Sequence, residues 1–272
     1  MDTNPKPEIS VHVDPANPGQ FFACCGLLEL ADRLWDGAEG WFQDDVFKVL
    51  TKGTLEELLK MLVKDLPAEV TSLEKGLTVK PLIAPLRLSL GVGDRDRLTL
   101  DAWMVIRTEK QKLVAAANPP WNFWSGQQTP LRIWTTLRDA LRQQLEELKP
   151  SQYDDLFSLL VPLPGRFGFD PGAAWNALDV GFSPNEQDIP VSSSPATESL
   201  AAIGIQRFRP LLSDDRMTFE YSTWGQPLPP SVASGAASGI VEVGPRVRFR
   251  GRVISRGSYA ALGYSIQIER SE

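Results

Sequence analysis

Residues 17–35 read N-P-G-Q-F-F-A-C-C-G-L-L-E-L-A-D-R-L-W, and this stretch decides the fold. Asn17 can accept a backbone N–H two or three positions on, Pro18 suits the first helical position, and Gln20 can reach back to the cap as in a capping box. The pattern predicts a helix starting here. From Phe21 onward, Phe22, Cys24, Cys25, Leu27, Leu28, Ala31, Leu34 and Trp35 cover more than half its circumference, leaving Glu29, Asp32 and Arg33 clearly polar. Such a helix is predicted to be buried. Before it, E-I-S-V-H-V at 8–13 alternates as a half-buried strand does and Asp14-Pro15 ends it, so the chain opens strand, turn, central helix.

Further along, 38–49 mixes aromatics with charge and reads as a short strand or hairpin. Thr54–Asp65 reads as an amphipathic helix, with Thr54 and Glu57 spaced as a capping box. Leu86–Leu90 alternates strictly, turn residues follow, and Leu98–Val105 reads as the returning strand of a hairpin. Thr129 and Pro130 open a long amphipathic helix through Leu148. Past Lys149-Pro150 the chain turns rich in proline, glycine and serine, which suggests a subdomain boundary near 150 within one globular unit spanning 1–272. On that division 1–150 is a strand-helix region with an aromatic loop, and 151–272 is Pro/Gly-rich and ends in an arginine-rich hairpin. Pro195–Ile205 reads as a small-residue helix able to pack closely on a neighbour, and Ser231–Gly239 as a flexible loop. Val241–Ile254 and Tyr259–Ile268 read as a terminal hairpin. The expected fold is α+β, with antiparallel hairpins, a buried N-terminal helix and two or three further helices.

Composition narrows the chemistry. The 272 residues are 42% hydrophobic and 23% charged, ordinary globular values with enough apolar side chains for a sizeable core. With no opening signal sequence and no long apolar run, the expectation is a cytoplasmic protein without membrane contact. Two adjacent cysteines, Cys24 and Cys25, exclude a disulfide framework or a zinc site. The single histidine, His12, excludes histidine metal clusters and a two-histidine acid/base pair. Neither a phosphate-binding G-x-x-x-x-G-K-[ST] loop nor a G-x-S-x-G elbow occurs. Asp94, Asp96 and Asp101 could gather a magnesium ion, but Arg95 and Arg97 interleave them, which favours a charge-balanced turn. No catalytic residue, metal or cofactor is predicted, and the chain is not expected to be an enzyme.

Binding candidates are clearer. The formal net charge is −6, yet the last thirty residues hold six arginines against two glutamates. In R-V-R-F-R-G-R, period two puts Arg246, Arg248, Arg250 and Arg252 on one strand face, spaced about 6.6 Å apart, close to the phosphate spacing of a nucleic acid. A row of like charge destabilises a sheet unless an anion lies on it, so either a polyanion or acids elsewhere in the chain are expected there. Arg132 and Arg138, with Arg207 and Arg209 in Q-R-F-R-P, could extend that surface. The second candidate is the loop N-P-P-W-N-F-W-S-G-Q-Q at 118–128. Trp121, Phe123 and Trp124 can stack on bases or wedge a duplex, Asn122, Gln127 and Gln128 can read base edges, and Lys110 and Lys112 lie just upstream. Equally, the rings can anchor the loop to the core. A third stretch, G-F-S-P-N-E-Q at 181–187, offers Ser183, Asn185 and Gln187 either as a recognition loop or as a well-capped turn.

The opening V-D-P-A-N-P-G-Q-F-F-A-C-C-G-L-L-E-L-A-D-R-L-W, with W-S-G-Q-Q-T-P at 124–130, D-V-G-F-S-P-N-E-Q at 179–187 and A-A-I-G-I-Q-R-F-R-P at 201–210, resembles a family of small CRISPR-associated proteins. That family belongs to the type I-G (formerly I-U) systems and is regarded as a reduced counterpart of the large subunit of the Cascade surveillance complex. The resemblance implies a non-catalytic subunit in antiviral defence whose partners are guide CRISPR RNA, target double-stranded DNA, other Cascade subunits and a separate helicase-nuclease. In such complexes guide pairing reads the target and protein reads the short motif beside it, a division known for another effector class. Two alternatives stay open. One is an RNA-recognition-type structural subunit bound to guide RNA. The other is a metal-independent guide-processing endoribonuclease that would need His12 with a lysine or tyrosine.

Overall fold

In the computed structural model, which describes residues 6–93, 97–117, 121–124, 128–173, 192–256 and 259–271, the central helix is α1, Pro18–Trp35. Asn17 caps it from an extended backbone and accepts the Gln20 N–H at 3.2 Å, with Pro18 in the first turn. Gln20 does not close the expected capping box. Its Oε1 reaches past the cap to accept the Asp14 N–H at 2.8 Å, and so holds the turn that leads into the helix. Every residue from Phe21 to Ala31 is buried. Burial pushes the thiols of Cys24 and Cys25 well up, which makes them inert core hydrophobes.

The other described α-helices are α2 (Leu55–Leu62), α3 (Pro130–Glu147), α4 (Pro195–Gly204) and α5 (Pro230–Ala237). In α2 the capping box forms as its spacing predicts: Glu57 N–H donates to Thr54 Oγ1 at 3.3 Å and Thr54 N–H to Glu57 Oε2 at 2.8 Å. The small-residue helix α4 finds its neighbour in α1. A Cβ on Gly26 would lie 2.0 Å from the Leu200 carbonyl oxygen, and one on Gly204 would lie 2.0 Å from that of Phe22. The two helices therefore meet backbone to backbone, a contact no larger side chain permits. The stretch read as a flexible loop, 231–239, is largely α5. Its buried Ala233, Ala236 and Ala237 stand at i, i+3 and i+4, a helical face built from alanine, and the helix packs beside α1, β2 and β12.

Every pairing among the described strands is antiparallel, and the fold is α+β. Strands β1 (Ile9–His12), β2 (Glu39–Gln43) and β3 (Val46–Leu50) form a sheet in the order β1-β3-β2. Strands β4 (Ala68–Val70), β5 (Leu86–Ser89) and β6 (Arg97–Leu100) form a second, in which Leu86 faces Leu100. The returning strand expected over 98–105 is thus cut short. Asp101 and Ala102 turn the chain by donating their N–H groups to Gln206 Oε1, at 2.8 and 2.9 Å. Met104 then opens a separate hairpin, β7 (Met104–Glu109) and β8 (Lys112–Ala117). After the short pair β9 (Val161–Pro162) and β10 (Ser192–Ser193), the C-terminal sheet comprises β11 (Leu211–Leu212), β12 (Thr218–Ser222), β13 (Arg246–Arg256), β14 (Tyr259–Leu262) and β15 (Ile266–Ser271). The expected terminal hairpin is β13–β14. To it the chain adds β12 on one side and folds β15 back beside the first half of β13.

One hydrophobic cluster draws on residues from Ile9 to Leu262. Trp224 sits within it and donates its indole N–H to the Gly40 carbonyl at 2.6 Å, which ties the C-terminal half to β2. Three buried carboxylates, Glu29, Glu198 and Asp170, carry a further part of the architecture. Glu29 on α1 accepts from Arg33 Nε at 2.7 Å and Arg207 Nε at 2.5 Å. Glu198, fully buried on α4, accepts the N–H groups of Gly168 and Asp170 at 2.7 and 3.0 Å, while Asp170 accepts from the Asn17 side chain at 2.8 Å. Burial pushes the Glu198 carboxyl up. The α1 cap, the 167–172 loop and α4 are joined through that chain of bonds. Among the described residues no helix is long and apolar enough to cross a membrane.

Candidate nucleic-acid interface

The arginine strand forms as its alternation predicts. In β13, Phe249, Gly251 and Val253 are buried, whereas Arg250 and Arg252 are exposed on the other face. What the sequence leaves open is the counter-charge, and the fold supplies much of it from within. Glu220, opposite Arg250 on β12, accepts from Arg250 Nη2 at 2.6 Å and from Arg248 Nη2 at 2.5 Å. Glu269, opposite Arg248 on β15, lies 3.3 Å from Arg248 and 3.4 Å from Arg246, and Glu242 lies 2.7 Å from Arg246. Burial alone pushes the Glu220 carboxyl up, but the hydrogen bonds from Arg250 and Arg248 outweigh it and hold the group below its ordinary range. Of the two counter-charges that the row leaves open, a polyanion or acids elsewhere in the chain, the fold brings acids to Arg246, Arg248 and Arg250: each already holds a carboxylate. Arg252, opposite Thr218, is exposed and makes no ion pair among the described residues.

Arginines expected to extend that surface are also engaged. Arg138 pairs with Asp65 at 2.6 Å and Asp139 at 2.8 Å, and Arg207 with the buried Glu29. Arg209 Nε donates to the Gln206 carbonyl at 3.3 Å. Arg132, in the first turn of α3, stays exposed and makes no ion pair among the described residues.

The aromatic loop belongs to the core. Trp121, Phe123 and Trp124 are 2%, 6% and 8% exposed. Trp124 donates its indole N–H to the Leu82 carbonyl at 2.9 Å and packs edge-on against Trp103 and Phe167, while Trp121 meets Phe22 of α1. Trp124 is therefore no stacking platform for a base, because both ring and N–H are used internally. Gln128 is likewise engaged: its Nε2 donates to the Pro164 carbonyl at 2.8 Å. The depression between Gln128, Arg132 and Gly165 holds about 30 Å³, room for a water or two and not for a base. Asn122 is half-buried between these rings. Gln127, Ser183, Asn185 and Gln187 lie outside the described residues.

Lys110 and Lys112 take a different place. Six residue pairs, from Met104 opposite Ala117 to Glu109 opposite Lys112, join β7 and β8 into a two-stranded sheet of their own. Its turn is Lys110-Gln111, at φ 47° and 64°. Both central residues of such a primed turn need positive φ, which Asn and Gly adopt far more readily, so the sequence gives little sign of it. Arg107, Glu109 and Lys112 share one face, Ile106 and Leu113 the other, and all five are exposed. Arg107, Lys110 and Lys112 make no ion pair among the described residues. Arg107 is a residue that sequence reasoning missed, for the same reason that it missed the hairpin.

A second feature missed is a cleft of about 520 Å³ between the inner face of the C-terminal sheet and the β2–β3 turn. Val247, Phe249, Gln267 and Arg270 line one side, and Phe42, Asp44 and Asp45 the other. Among the described residues no group of three or more His, Cys, Asp or Glu side chains is placed to hold a metal ion. Comparison with known proteins gives no match to a family model, to a curated protein or to a solved structure.

Proposed function

We propose that this chain is a non-catalytic, nucleic-acid-binding subunit of a type I-G CRISPR RNA-guided surveillance complex, acting in the cytoplasm with guide CRISPR RNA, target DNA, other Cascade subunits and a separate helicase-nuclease. The observation that carries the nucleic-acid reading is the β7–β8 hairpin. It presents Arg107, Lys110 and Lys112 with a single acid, Glu109, between them, and no carboxylate elsewhere in the described fold is paired to them. A two-stranded ribbon of this kind has the width that a DNA major groove admits, and its cations are available for phosphates. Arg252 and Arg132 are further exposed cations free to add affinity. The subunit reading rests on the resemblance of 13–35, 124–130, 179–187 and 201–210. Two of those segments build α1 and the end of α4, so they speak for kinship of fold, while the hairpin speaks for binding.

The test is to purify the tagged chain from cells that express its neighbouring genes and a guide array, at physiological salt, and to sequence bound RNA. Guide-length RNA recovered with partner proteins supports the reading. A chain that emerges alone and RNA-free, while its neighbours still assemble on the guide, defeats it. In the recovered complex, crosslinks from position 110 to target DNA identify the DNA-contacting subunit, and crosslinks to guide RNA alone identify instead a structural subunit on the guide.

A further inference from the structure

The cleft behind the C-terminal sheet lies beside an open strand edge. Strand β15 pairs with β13 on one side, and among the described residues its other side pairs with nothing. Its start is fixed by the Ser265 N–H donating to the Ala16 carbonyl at 2.8 Å, so the edge is held in place at the turn that precedes α1. Such an edge offers a row of main-chain donors and acceptors, which natural sheets usually cover or blunt. A strand added there would run 4.7–4.9 Å or so from β15, with alternate side chains on the same face as Gln267 and Arg270. That face is the wall of the cleft. The remaining side chains would fall on the opposite face beside Ile266, which is 66% exposed.

We propose that β15 and this cleft form a docking site for an extended segment of a partner polypeptide, bound by strand addition. The segment carries apolar side chains on both faces near its centre, one entering the cleft over Phe249 and one covering Ile266. Charge fixes its flanks. Arg270 makes no ion pair among the described residues and calls for an acidic side chain, while Asp44 and Asp45 across the cleft call for a basic one. At about 520 Å³ the space falls within the roughly 300–1,000 Å³ typical of sites that hold a bound molecule. Main-chain bonds would supply affinity, and the cleft would select the side chain. This inference stands apart from the nucleic-acid reading, because it uses none of the hairpin.

The test starts with a displayed library of random peptides selected against the full chain, with the best binder then made synthetically. Bound peptide is expected to slow amide exchange in 266–270 and in 42–45. Arg270→Glu, or Asp44→Lys with Asp45→Lys, should each weaken it by about tenfold with the melting temperature unchanged. Methylating alternate backbone nitrogens of the peptide should abolish binding in one of the two registers, because strand addition needs those N–H groups. A selection yielding no peptide that protects β15 overturns the proposal, as does equal binding by both methylated forms. Protection of the same edge by raising the protein's own concentration, or by an oligonucleotide, assigns it to a second copy or to nucleic acid and equally overturns it.

Discussion

Two stretches of this chain are basic in sequence, the arginine strand β13 and the β7–β8 hairpin, and the fold treats them in opposite ways. On β13 three arginines meet Glu220, Glu269 and Glu242, brought in from the neighbouring strand β12, the folded-back β15 and the segment just before β13. On the hairpin the cations belong to a sheet of two strands, and among the described residues no third strand brings a further acid beside them. The lesson is that period-two spacing places charges on a face but does not decide whether they are free. A central strand has neighbours on both sides, and each neighbour is a chance of neutralisation. Each strand of an isolated hairpin has only one, and here it brings a single acid, Glu109 opposite Lys112.

The largest effect expected from that difference is on affinity. Charge reversal of the hairpin by Arg107→Glu, Lys110→Glu and Lys112→Glu together should lower affinity for duplex DNA by about a hundredfold or more at low salt, and flatten the plot of log affinity against log salt by roughly 2–3 in slope. The doubly substituted Arg248→Ala, Arg250→Ala should change DNA affinity by less than about threefold, because those guanidinium groups already hold carboxylates. A filter-binding or anisotropy titration across salt concentrations reads both. If the arginine variant loses more than the hairpin variant, the contrast between the two regions is inverted and the interface lies on β13.

Next in size is the cost of removing the shared acid. Glu220 is 17% exposed and serves two arginines, so Glu220→Ala should destabilise by about 1–3 kcal/mol, by leaving two like charges on adjacent positions of one face. The same change frees Arg250, while Arg248 keeps Glu269, and is expected to raise, not lower, affinity for a polyanion. Thermal unfolding and the DNA titration together check it. A variant that loses stability with no gain in binding would show that the outer face of β13 is unavailable to a ligand for reasons other than charge.

How much of this was legible in the sequence depends on the range of the interaction. The cap at Asn17, the box at Thr54 and Glu57, the buried stripe of α1 and the alternation of β13 all rest on residues within a turn or two of one another, and all are read correctly from spacing. The small residues of 195–205 likewise announce a close-packed helix, though not that its partner is Gly26 of α1. The misses are long-range or unpatterned. Glu220 and Arg250 are thirty positions apart, and no local rule pairs them. Helix α5 marks its buried face chiefly with alanines at 233, 236 and 237, a weak signal among serines and glycine. Trp124 and Gln128 have the chemistry of a base reader, yet Leu82 and Pro164 claim them through backbone carbonyls that no sequence pattern displays. The cleft is assembled from five separated segments between Pro15 and Arg270, which makes it invisible before folding.

A smaller effect follows from pH. The Glu220 carboxyl titrates lower in the folded than in the unfolded chain, so the stability it contributes is complete above the ordinary glutamate value of about 4.3 and is lost as pH falls through its depressed folded value. Acid should therefore loosen the C-terminal sheet through Glu220. Urea unfolding followed from neutral pH to below 4 or so should show a decline that is shallower in Glu220→Gln than in the parent. Equal slopes would mean that the two arginines do not hold Glu220 in solution.

The smallest expected effect calibrates the others. His12 Nδ1, at the end of β1, lies 2.7 Å from Asp155 Oδ1, with the side chains 55% and 61% exposed, a surface pair open to solvent. The hydrogen bond to Asp155 outweighs slight burial and raises the His12 pKa, so any stability from the pair is complete below the ordinary histidine value and is lost as pH rises through the raised one. Exposed as it is, the pair should contribute only a few tenths of a kcal/mol or so. Asp155→Asn should lower the His12 titration midpoint, followed by NMR, and leave the melting temperature nearly unchanged. A large loss of stability instead would mean that solvent screens charge pairs on this protein less than supposed, and the value placed on Glu220 would have to rise with it. The same residue bears on the catalytic alternative. In a non-enzymatic subunit, His12→Ala leaves guide RNA length unaltered in the purified complex, because the imidazole is engaged by a carboxylate on the side of the molecule that carries β1 and the 150–158 turn, not by the hairpin cations that RNA would meet.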